Sequence, residues 1–231
     1  MSVEFKQSIK ETFDRYKRKS SHDPLIELPV HDNDGKLVAF LKPITKDYLL
    51  LDPDLPELLG RWRAENPTIS TGKFQITKER TMRWLDNLVV GREDRLVFLV
   101  EALDGTLVGH LGYSDFNFET RTGLVDSVLR GVKSAYPGLM SYAVNTIVRW
   151  GINELKLQHI SLSVFSDGKA AIQFYERLGF HCTYLQPLYE VNFGDEVKLE
   201  IAPEGYTGPV ARYYQYMDFD FRKTPGEKHE S

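Results

Sequence analysis

The order of apolar runs along the chain predicts an α/β (α+β) fold, in which a mixed, mostly antiparallel central sheet carries helices on both faces. Two observations lead to this prediction. In the first half, strand-like runs are joined by tight Asp-Gly turns, which indicates an antiparallel meander. Further along, strand-like and helix-like runs alternate, which is typical of a βαβα unit with a parallel strand pair.

The composition is that of an ordinary globular protein and excludes several functional classes. The 231 residues fit one large domain, and 42% are hydrophobic and 27% charged. No apolar run approaches the ~20 residues of a membrane span, and the charged N-terminal segment does not resemble a secretory signal. The single cysteine, Cys182, fits a reducing cytoplasm and is expected in the core. A net charge of −4 gives no general attraction to nucleic acid or anionic membranes.

The first half predicts two helical regions around a hairpin. A helix is expected over residues 4–20, because Phe5, Ile9, Phe13 and Tyr16 recur at helical spacing. The runs LIELPV and KLVAFLKPI flank an Asp-Gly turn and predict a hairpin. A helical stretch interrupted by two prolines follows from Thr45, then a loop over 66–75. A second helix is expected to begin at Thr77 and end at Gly91.

The second half contains the strongest hairpin and the alternating unit. RLVFLVEA and TLVGHLGYSDF flank Asp104-Gly105, and the strand VDSVLRGV follows a loop. A Gly/Pro loop then opens a helix with Leu139, Ala143, Ile147 and Trp150 on one stripe. HISLSVFS predicts a strand, and GKAAIQFYERLG predicts a helix closed by Gly179. Three strand-like runs complete the chain: FHCTYLQPLYEVNF, EVKLEI and ARYYQYMDFDF.

The stretch from Asp126 to Gly151 carries the first functional signal. Where a strand is followed by a Gly/Pro loop and then a helix, free backbone N–H groups lie at the positive end of the helix dipole. Such a point binds anions, and diphosphates are common occupants. A βα corner also needs glycine and proline simply to turn, so this pattern alone leaves a purely structural role open.

Four segments, in order, resemble the GNAT family of acyl-CoA-dependent N-acyltransferases, nearest to its ribosomal-protein-alanine and nucleotide-amino-sugar branches. They are LKPITKDY with the later Trp62-Arg63, TLVGHLGYSDF, the stretch from VLRGVKSAYPGLM to LQHISLSV, and GKAAIQFYERLGF. The last resembles the closing signature N-x-x-A-I-x-F-Y-E-K-L-G-F, which is the most specific of the four. The resemblance covers residues 39–184.

The resemblance implies a domain organisation as well as a fold. Residues 1–38 are expected to form an N-terminal helix and hairpin extension. Residues 39–220 are expected to form the acyltransferase domain, of which 185–220 is a β-rich C-terminal part. Residues 221–231 are polar and are expected to be a disordered tail.

The resemblance implies that the protein transfers acetyl from acetyl-CoA to a primary amine on a small molecule or peptide. The cofactor-binding positions that it implies are Val128, Leu129, Arg130, Lys133, Tyr136, Gly138, Leu139, Met140, Ser141, Gly168 and Ala171. A backbone N–H near Val128 to Arg130 is expected to polarise the thioester carbonyl. A homodimer is possible, with the last strand continuing the sheet into a second copy.

One side chain is the candidate proton donor, and four are candidate bases. Tyr175 matches the family tyrosine that protonates the leaving thiolate, and a phenol of pKa ~10 is a plausible donor. The base is less determined: His110, with an ordinary pKa of ~6.5, and Asp115 lead a group that also includes Glu119 and Asp126. A hydrogen-bonded structural histidine is the alternative for His110. No spacing typical of a metal site and no nucleotide-binding glycine motif occurs in the sequence.

The loop departs from the family pattern at three positions. Ala135 replaces a Gln or Arg, Met140 replaces a small residue, and Gly168 replaces the usual Asn. Backbone N–H groups must approach the diphosphate without side chains in the way, so Met140 has to point elsewhere or the cofactor is displaced. These departures keep an alternative open, a non-catalytic acyl-CoA-binding or interaction module on the same fold.

Overall fold

A computed structural model describes residues 2–18, 22–73, 75–133, 135–194 and 196–223. Its strands are β1 (Leu28–His31), β2 (Leu37–Pro43), β3 (Gly72–Lys73), β4 (Leu96–Ala102), β5 (Leu107–Asn117), β6 (Thr122–Arg130), β7 (His159–Phe165), β8 (Phe180–Asn192), β9 (Val197–Ile201) and β10 (Arg212–Phe219). Its helices are α1 (Ser2–Lys17), α2 (Tyr48–Leu51), α3 (Leu55–Ala64), α4 (Lys78–Trp84), α5 (Leu139–Asn153) and α6 (Lys169–Arg177). A π-helical turn, Leu85–Val90, extends α4.

The strands form one sheet in the order β1-β2-β4-β5-β6-β7-β10-β8-β9-β3. Within the described residues, β6 and β7 pair in parallel and the other neighbouring strands pair antiparallel. The prediction of a mixed, mostly antiparallel sheet is therefore confirmed.

The two faces of the sheet are covered by different helices, as β4 shows. Leu96, Phe98 and Val100 pack with α1 and α5, whereas Val97 and Leu99 pack with α2 and α3. Neighbouring side chains of a strand point to opposite faces, so this alternation requires helices on both sides. That part of the prediction is confirmed too.

Helix α1 belongs to the main hydrophobic core. Its predicted stripe, from Phe5 to Tyr16, is buried, and the indole N–H of Trp150 on α5 donates to the Tyr16 hydroxyl over 2.9 Å. The segment before residue 39 therefore packs against the same sheet as the rest of the chain. The division into an extension and an acyltransferase domain stays a prediction.

Helices and strands begin and end close to the predicted positions, with two differences. Thr77 caps α4 by accepting a hydrogen bond from the Arg80 N–H over 3.2 Å, and Gly179 follows α6 with φ +94°. The predicted loop over 66–75 instead contains β3, which pairs with β9. Strand β6 begins at Thr122, before the predicted start, because its first residues pair with β7.

Strand β10 lies inside the sheet. It pairs with β7 on one edge and with β8 on the other, so both of its edges are occupied. The expectation that this strand continues the sheet into a second copy is therefore wrong. Cys182 on β8 is exposed rather than in the core, because it lies in a stretch of the strand, residues 181–185, whose side chains are all exposed on both faces.

Two further expectations concern membrane spans and the C-terminal tail. Of the described helices, none is long and apolar enough to cross a membrane. Residues 224–231, which make up most of the predicted tail, lie outside the described residues.

Candidate active site

A gap, which we call the β6–β7 cleft, opens where the ladder between β6 and β7 ends. The two strands pair from Thr122 opposite His159 to Val125 opposite Leu162, and beyond these residues they are no longer hydrogen-bonded to each other. Beyond this point β6 stays with β5 while β7 stays with β10. The cleft lies at the carboxyl ends of two parallel strands, beyond which α5 and α6 begin, and open α/β sheets bind ligands at such places.

A β-bulge shapes the edge of β6 that borders the cleft. His110 is opposite Leu129 and Gly112 is opposite Asp126, so two residues of β6 stand opposite one of β5. Ser127, the first bulged residue, has φ +54°. A bulge bends a strand and redirects its backbone groups. Val128, Leu129 and Arg130, which were predicted beside the thioester, make up the rest of the strand from this bulge to its end.

The loop between β6 and α5 is braced by three side chains that were predicted to contact the cofactor. Arg130 donates to the carbonyls of Val132 and Ala135 over 2.9 and 3.0 Å. The Lys133 ammonium donates to the Glu65 carbonyl over 3.3 Å. The Tyr136 hydroxyl donates to Asp104 over 2.6 Å. All four bonds are exposed, so these three side chains hold the loop and remain accessible at the surface.

Helix α5 begins at a glycine in the left-handed region. Gly138 has φ +79°, which glycine adopts without strain, and its carbonyl accepts from the N–H groups of Ser141 and Tyr142 over 2.9 and 3.1 Å. Gly138 is exposed, whereas Leu139 beside it is buried. The first turn therefore presents backbone rather than large side chains to solvent.

Met140 points into the core and away from this exposed turn. It is 7% exposed, and its sulfur lies 3.0 Å from the position that a Cβ on Gly109 would occupy. Of the two alternatives left by the sequence, the structure shows the one in which Met140 points elsewhere. Met140 therefore does not cover the backbone at the start of α5, where the ring of Tyr142 lies beside Gly138.

The start of α6 borders the same cleft. Gly168 precedes the helix, and its carbonyl accepts from the N–H groups of Ala171 and Ile172 over 2.9 and 3.0 Å. Ala171 is exposed in the first turn. A glycine has no side chain with which to replace the amide of the family asparagine, so only backbone at 168 can contact a ligand.

Tyr175 lies on α6 with its ring buried between Phe174 and Phe180, at centroid distances of 5.1 and 5.9 Å. Burial raises the pKa of Tyr175 well above its usual value, and the negative charge of Asp126 raises it further. The phenol is therefore protonated at neutral pH, which a proton donor must be. Within the described residues its hydroxyl has no hydrogen-bond partner.

His110 lies on β5 beneath the bulge, and its Nδ1 is 2.5 Å from the carbonyl oxygen of Ser127. The indoles of Trp62 and Trp84 flank its ring, each at a centroid distance of 6.2 Å. Burial lowers the pKa of His110 to about 4, and the positive charges of Arg95 and Arg63 act in the same direction. The ring is therefore neutral at pH 7, and Nδ1 carries the proton because a carbonyl can only accept.

Asp115 and Asp126 are joined by a serine. The hydroxyl of Ser114, which is fully buried, lies 2.9 Å from Asp115 and 3.1 Å from Asp126. Asp115 is largely exposed and pairs with Arg92 over 2.8 Å, whereas Asp126 pairs with Arg95 over 2.6 Å. Asp126 directly precedes the bulge and therefore lies beside the cleft. It is a stronger candidate for the base than the sequence alone indicates.

Arg95, like Ser114 and Ser127, is a site residue that the sequence does not predict. Its side chain is 13% exposed, and it contacts both Asp126 and the Ser127 hydroxyl, at 2.6 and 2.7 Å. Arg95 directly precedes β4, and no sequence motif links it to the residues of β6. The described residues contain no group of three or more His, Cys, Asp or Glu side chains placed to hold a metal ion.

Comparisons with known proteins agree with this architecture. A family model, Acetyltransferase (GNAT) family, matches residues 57–180, which is more than half of the chain. No curated protein matches the sequence.

Solved structures with the same fold include a probable acetyltransferase of the GNAT family from Chromobacterium violaceum. It has a TM-score of 0.58 and 16% identity, over 87% of this chain and 96% of that one. A variant of spermidine N-acetyltransferase from Vibrio cholerae has a TM-score of 0.52 and 15% identity, over 72% of this chain and 89% of that one. At these identities the similarity is one of fold.

Proposed function

Because this chain belongs to the GNAT acetyltransferase family, we propose that it transfers acetyl from acetyl-CoA to a primary amine by direct attack in a ternary complex. The observation that carries the proposal is the shared position of three features. The β6–β7 cleft, the bulge of β6 and the exposed start of α5 all lie at one end of the parallel strand pair. They provide a wedge for the pantetheine arm, backbone donors for the acyl carbonyl and an anion site for the diphosphate.

The cofactor is held mainly by backbone. The backbone at Gly138 and Met140, at the start of α5, and the positive end of the helix dipole attract the diphosphate. Arg130 and Lys133 are exposed beside them and add positive charge, while Gly168 and Ala171 border the arm on the other side. Acetyl-CoA supplies an acyl group that is already activated as a thioester.

The remaining steps belong to side chains of the cleft. A backbone N–H between Val128 and Arg130 donates to the carbonyl oxygen as negative charge develops on it. Tyr175, which burial keeps protonated at neutral pH, donates a proton to the leaving thiolate. The proton released by the amine leaves through Asp126 and Ser114 to Asp115, which is exposed to solvent. The expected role of His110 as the base stays a prediction, and a histidine of pKa about 4 is a weak proton acceptor from an ammonium ion.

The acceptor is a small-molecule or peptide amine, and the location in the cytoplasm inferred from the single cysteine is part of the proposal. Spermidine is the acceptor named for one structural neighbour, so polyamines belong in any panel of candidates. The other candidates are N-terminal peptides of ribosomal proteins, nucleotide-linked amino sugars and aminoglycosides.

A two-stage experiment tests the function. Thermal shifts are measured first with CoA and acetyl-CoA, and thiol release is then followed with each amine of the panel. We expect stabilisation by both ligands and thiol release with at least one amine. Stabilisation without release on any amine supports the non-catalytic module, for which Ala135 and Gly168 remain the favouring residues. An absence of stabilisation contradicts both proposals.

A further inference from the structure

The bulge of β6 needs support because its backbone is strained. Ser127 is not glycine, yet it has φ +54°, and a non-glycine residue in this region is strained unless its surroundings compensate. Beyond Val125 the edge of β6 that faces β7 is unpaired. Contacts from other parts of the chain must therefore hold the bulge in place.

His110 supplies one such contact, from the neighbouring strand to the Ser127 carbonyl at 2.5 Å. The ring cannot easily turn away, because it lies between Trp62 and Trp84 and is only 7% exposed. Trp62 is itself fixed, since its indole packs directly on the backbone of Gly131 at the end of β6.

Arg95 supplies the second contact, to the other side of the same residue. One of its terminal nitrogens lies 2.7 Å from the Ser127 hydroxyl and 2.6 Å from the Asp126 carboxylate. Its guanidinium lies over the Trp84 ring at 6.0 Å. The indole that flanks His110 therefore also packs against Arg95, and the two contacts to Ser127 form one assembly.

We propose that His110 and Arg95 are positioning residues that hold the Ser127 bulge, so that a backbone N–H between Val128 and Arg130 points into the cleft. This inference rests on the acetyltransferase function proposed above. His110 acts as a hydrogen-bond donor through Nδ1, and it does not take the proton of the amine. Donors that are fixed before the reaction stabilise an oxyanion most effectively, and a displacement of about 1 Å can lower a rate about 100-fold.

Two amide substitutions separate this role from that of a base. In His110→Asn the side-chain N–H lies two bonds from Cβ, as Nδ1 does, so it can still donate to the Ser127 carbonyl. In His110→Gln the N–H lies one bond further out and cannot occupy that position. Neither amide takes up a proton, so a base would be lost equally in both variants.

Steady-state kinetics and pH profiles of both variants test the proposal. We expect His110→Asn to keep kcat within about 5-fold of the unaltered protein, with the acid limb of its pH profile in place. We expect His110→Gln to lower kcat about 10- to 100-fold, with the KM for acetyl-CoA within about 2-fold. Ser127→Ala, which removes only the hydroxyl bound by Arg95, should show a smaller loss of the same kind. The proposal is overturned if kcat falls equally in His110→Asn and His110→Gln, or if the acid limb of the pH profile disappears in His110→Asn.

A second readout does not depend on turnover. Amide hydrogen exchange at those amides of residues 126–130 that are hydrogen-bonded to β5, followed by NMR, should be slow in the unaltered protein and in His110→Asn and faster in His110→Gln. If no amine is acetylated but this pattern holds, the proposed function fails and the positioning role stands. If exchange is the same in all three proteins, the positioning role fails even where the enzyme is active.

Discussion

The Tyr136 hydroxyl donates a hydrogen bond of 2.6 Å to the carboxylate of Asp104. Tyr136 lies in the loop before α5, and Asp104 lies in the turn between β4 and β5. The bond lowers the pKa of Asp104, so the carboxylate stays charged at neutral pH. It ties the proposed diphosphate loop to a rigid hairpin.

Removing this tie should weaken cofactor binding and leave the chemical step intact. We expect Tyr136→Phe to raise the KM for acetyl-CoA about 2- to 5-fold at unchanged kcat, because an exposed bond to a carboxylate contributes modestly. The double variant with Asp104→Ala provides the control. If the second substitution raises KM by a further independent factor, the two residues are not coupled.

Tyr175 should affect the chemical step and not binding. Tyr175→Phe keeps the buried ring between Phe174 and Phe180 but removes the proton donor, so we expect kcat to fall about 100-fold with unchanged acetyl-CoA affinity. Thiol-release kinetics and thermal shifts measure the two quantities. Tyr189→Phe, which removes a hydroxyl from β8, is the matched control. Equal kcat values for the two variants would rule out Tyr175 as the donor.

The burial of His110 should make stability depend on pH in a defined window. Its pKa is about 4 in the folded protein and 6.5 ordinarily, so between these values the unfolded chain binds more protons. The free energy of unfolding should therefore fall by roughly 3 kcal/mol as the pH drops from 6.5 to 4, and this contribution should level off below pH 4.

Urea unfolding at several pH values checks this expectation by comparison with His110→Asn. Carboxylates titrate in both proteins, so the difference between the two curves isolates the histidine. His159→Asn, which alters an exposed histidine, is the control and should follow the unaltered protein. A difference between the His110→Asn and unaltered curves that is constant from pH 7 to pH 4 would contradict the burial of a neutral ring.

Gly131 should not tolerate a side chain. A Cβ at this position would overlap the Trp62 indole, and overpacking of this kind typically destabilises by about 1–3 kcal/mol. Denaturant unfolding of Gly131→Ala measures the effect. In a Trp62→Ala background the same substitution should become nearly neutral, because the overlapping ring is gone. An equal loss of stability in both backgrounds would place the cause outside this contact.

Local patterns predicted most of the elements correctly. The stripe of Leu139, Ala143, Ile147 and Trp150 is buried, since the hydrophobic face of a helix is a property of the segment itself. Thr77 begins α4 and Gly179 follows the end of α6 as predicted, because caps depend on neighbouring residues only.

Long-range relationships could not be predicted in the same way. An alternating pattern describes β10 as a strand but does not say which strands flank it, and β3 is too short to have a pattern. The contact between Arg95 and Asp126 joins residues far apart in the chain. The low pKa of His110 likewise depends on Trp62 and Trp84, which come from helices that no motif connects to β5.

The interior position of β10 has a consequence for synthesis and folding. The ribosome completes β7 and β8 before β10, yet the two are joined only through this strand within the described sheet. Until β10 inserts, two strands expose unpaired edges that can pair with other chains. A nascent or truncated chain without this segment should therefore depend on chaperones, because exposed edges favour aggregation.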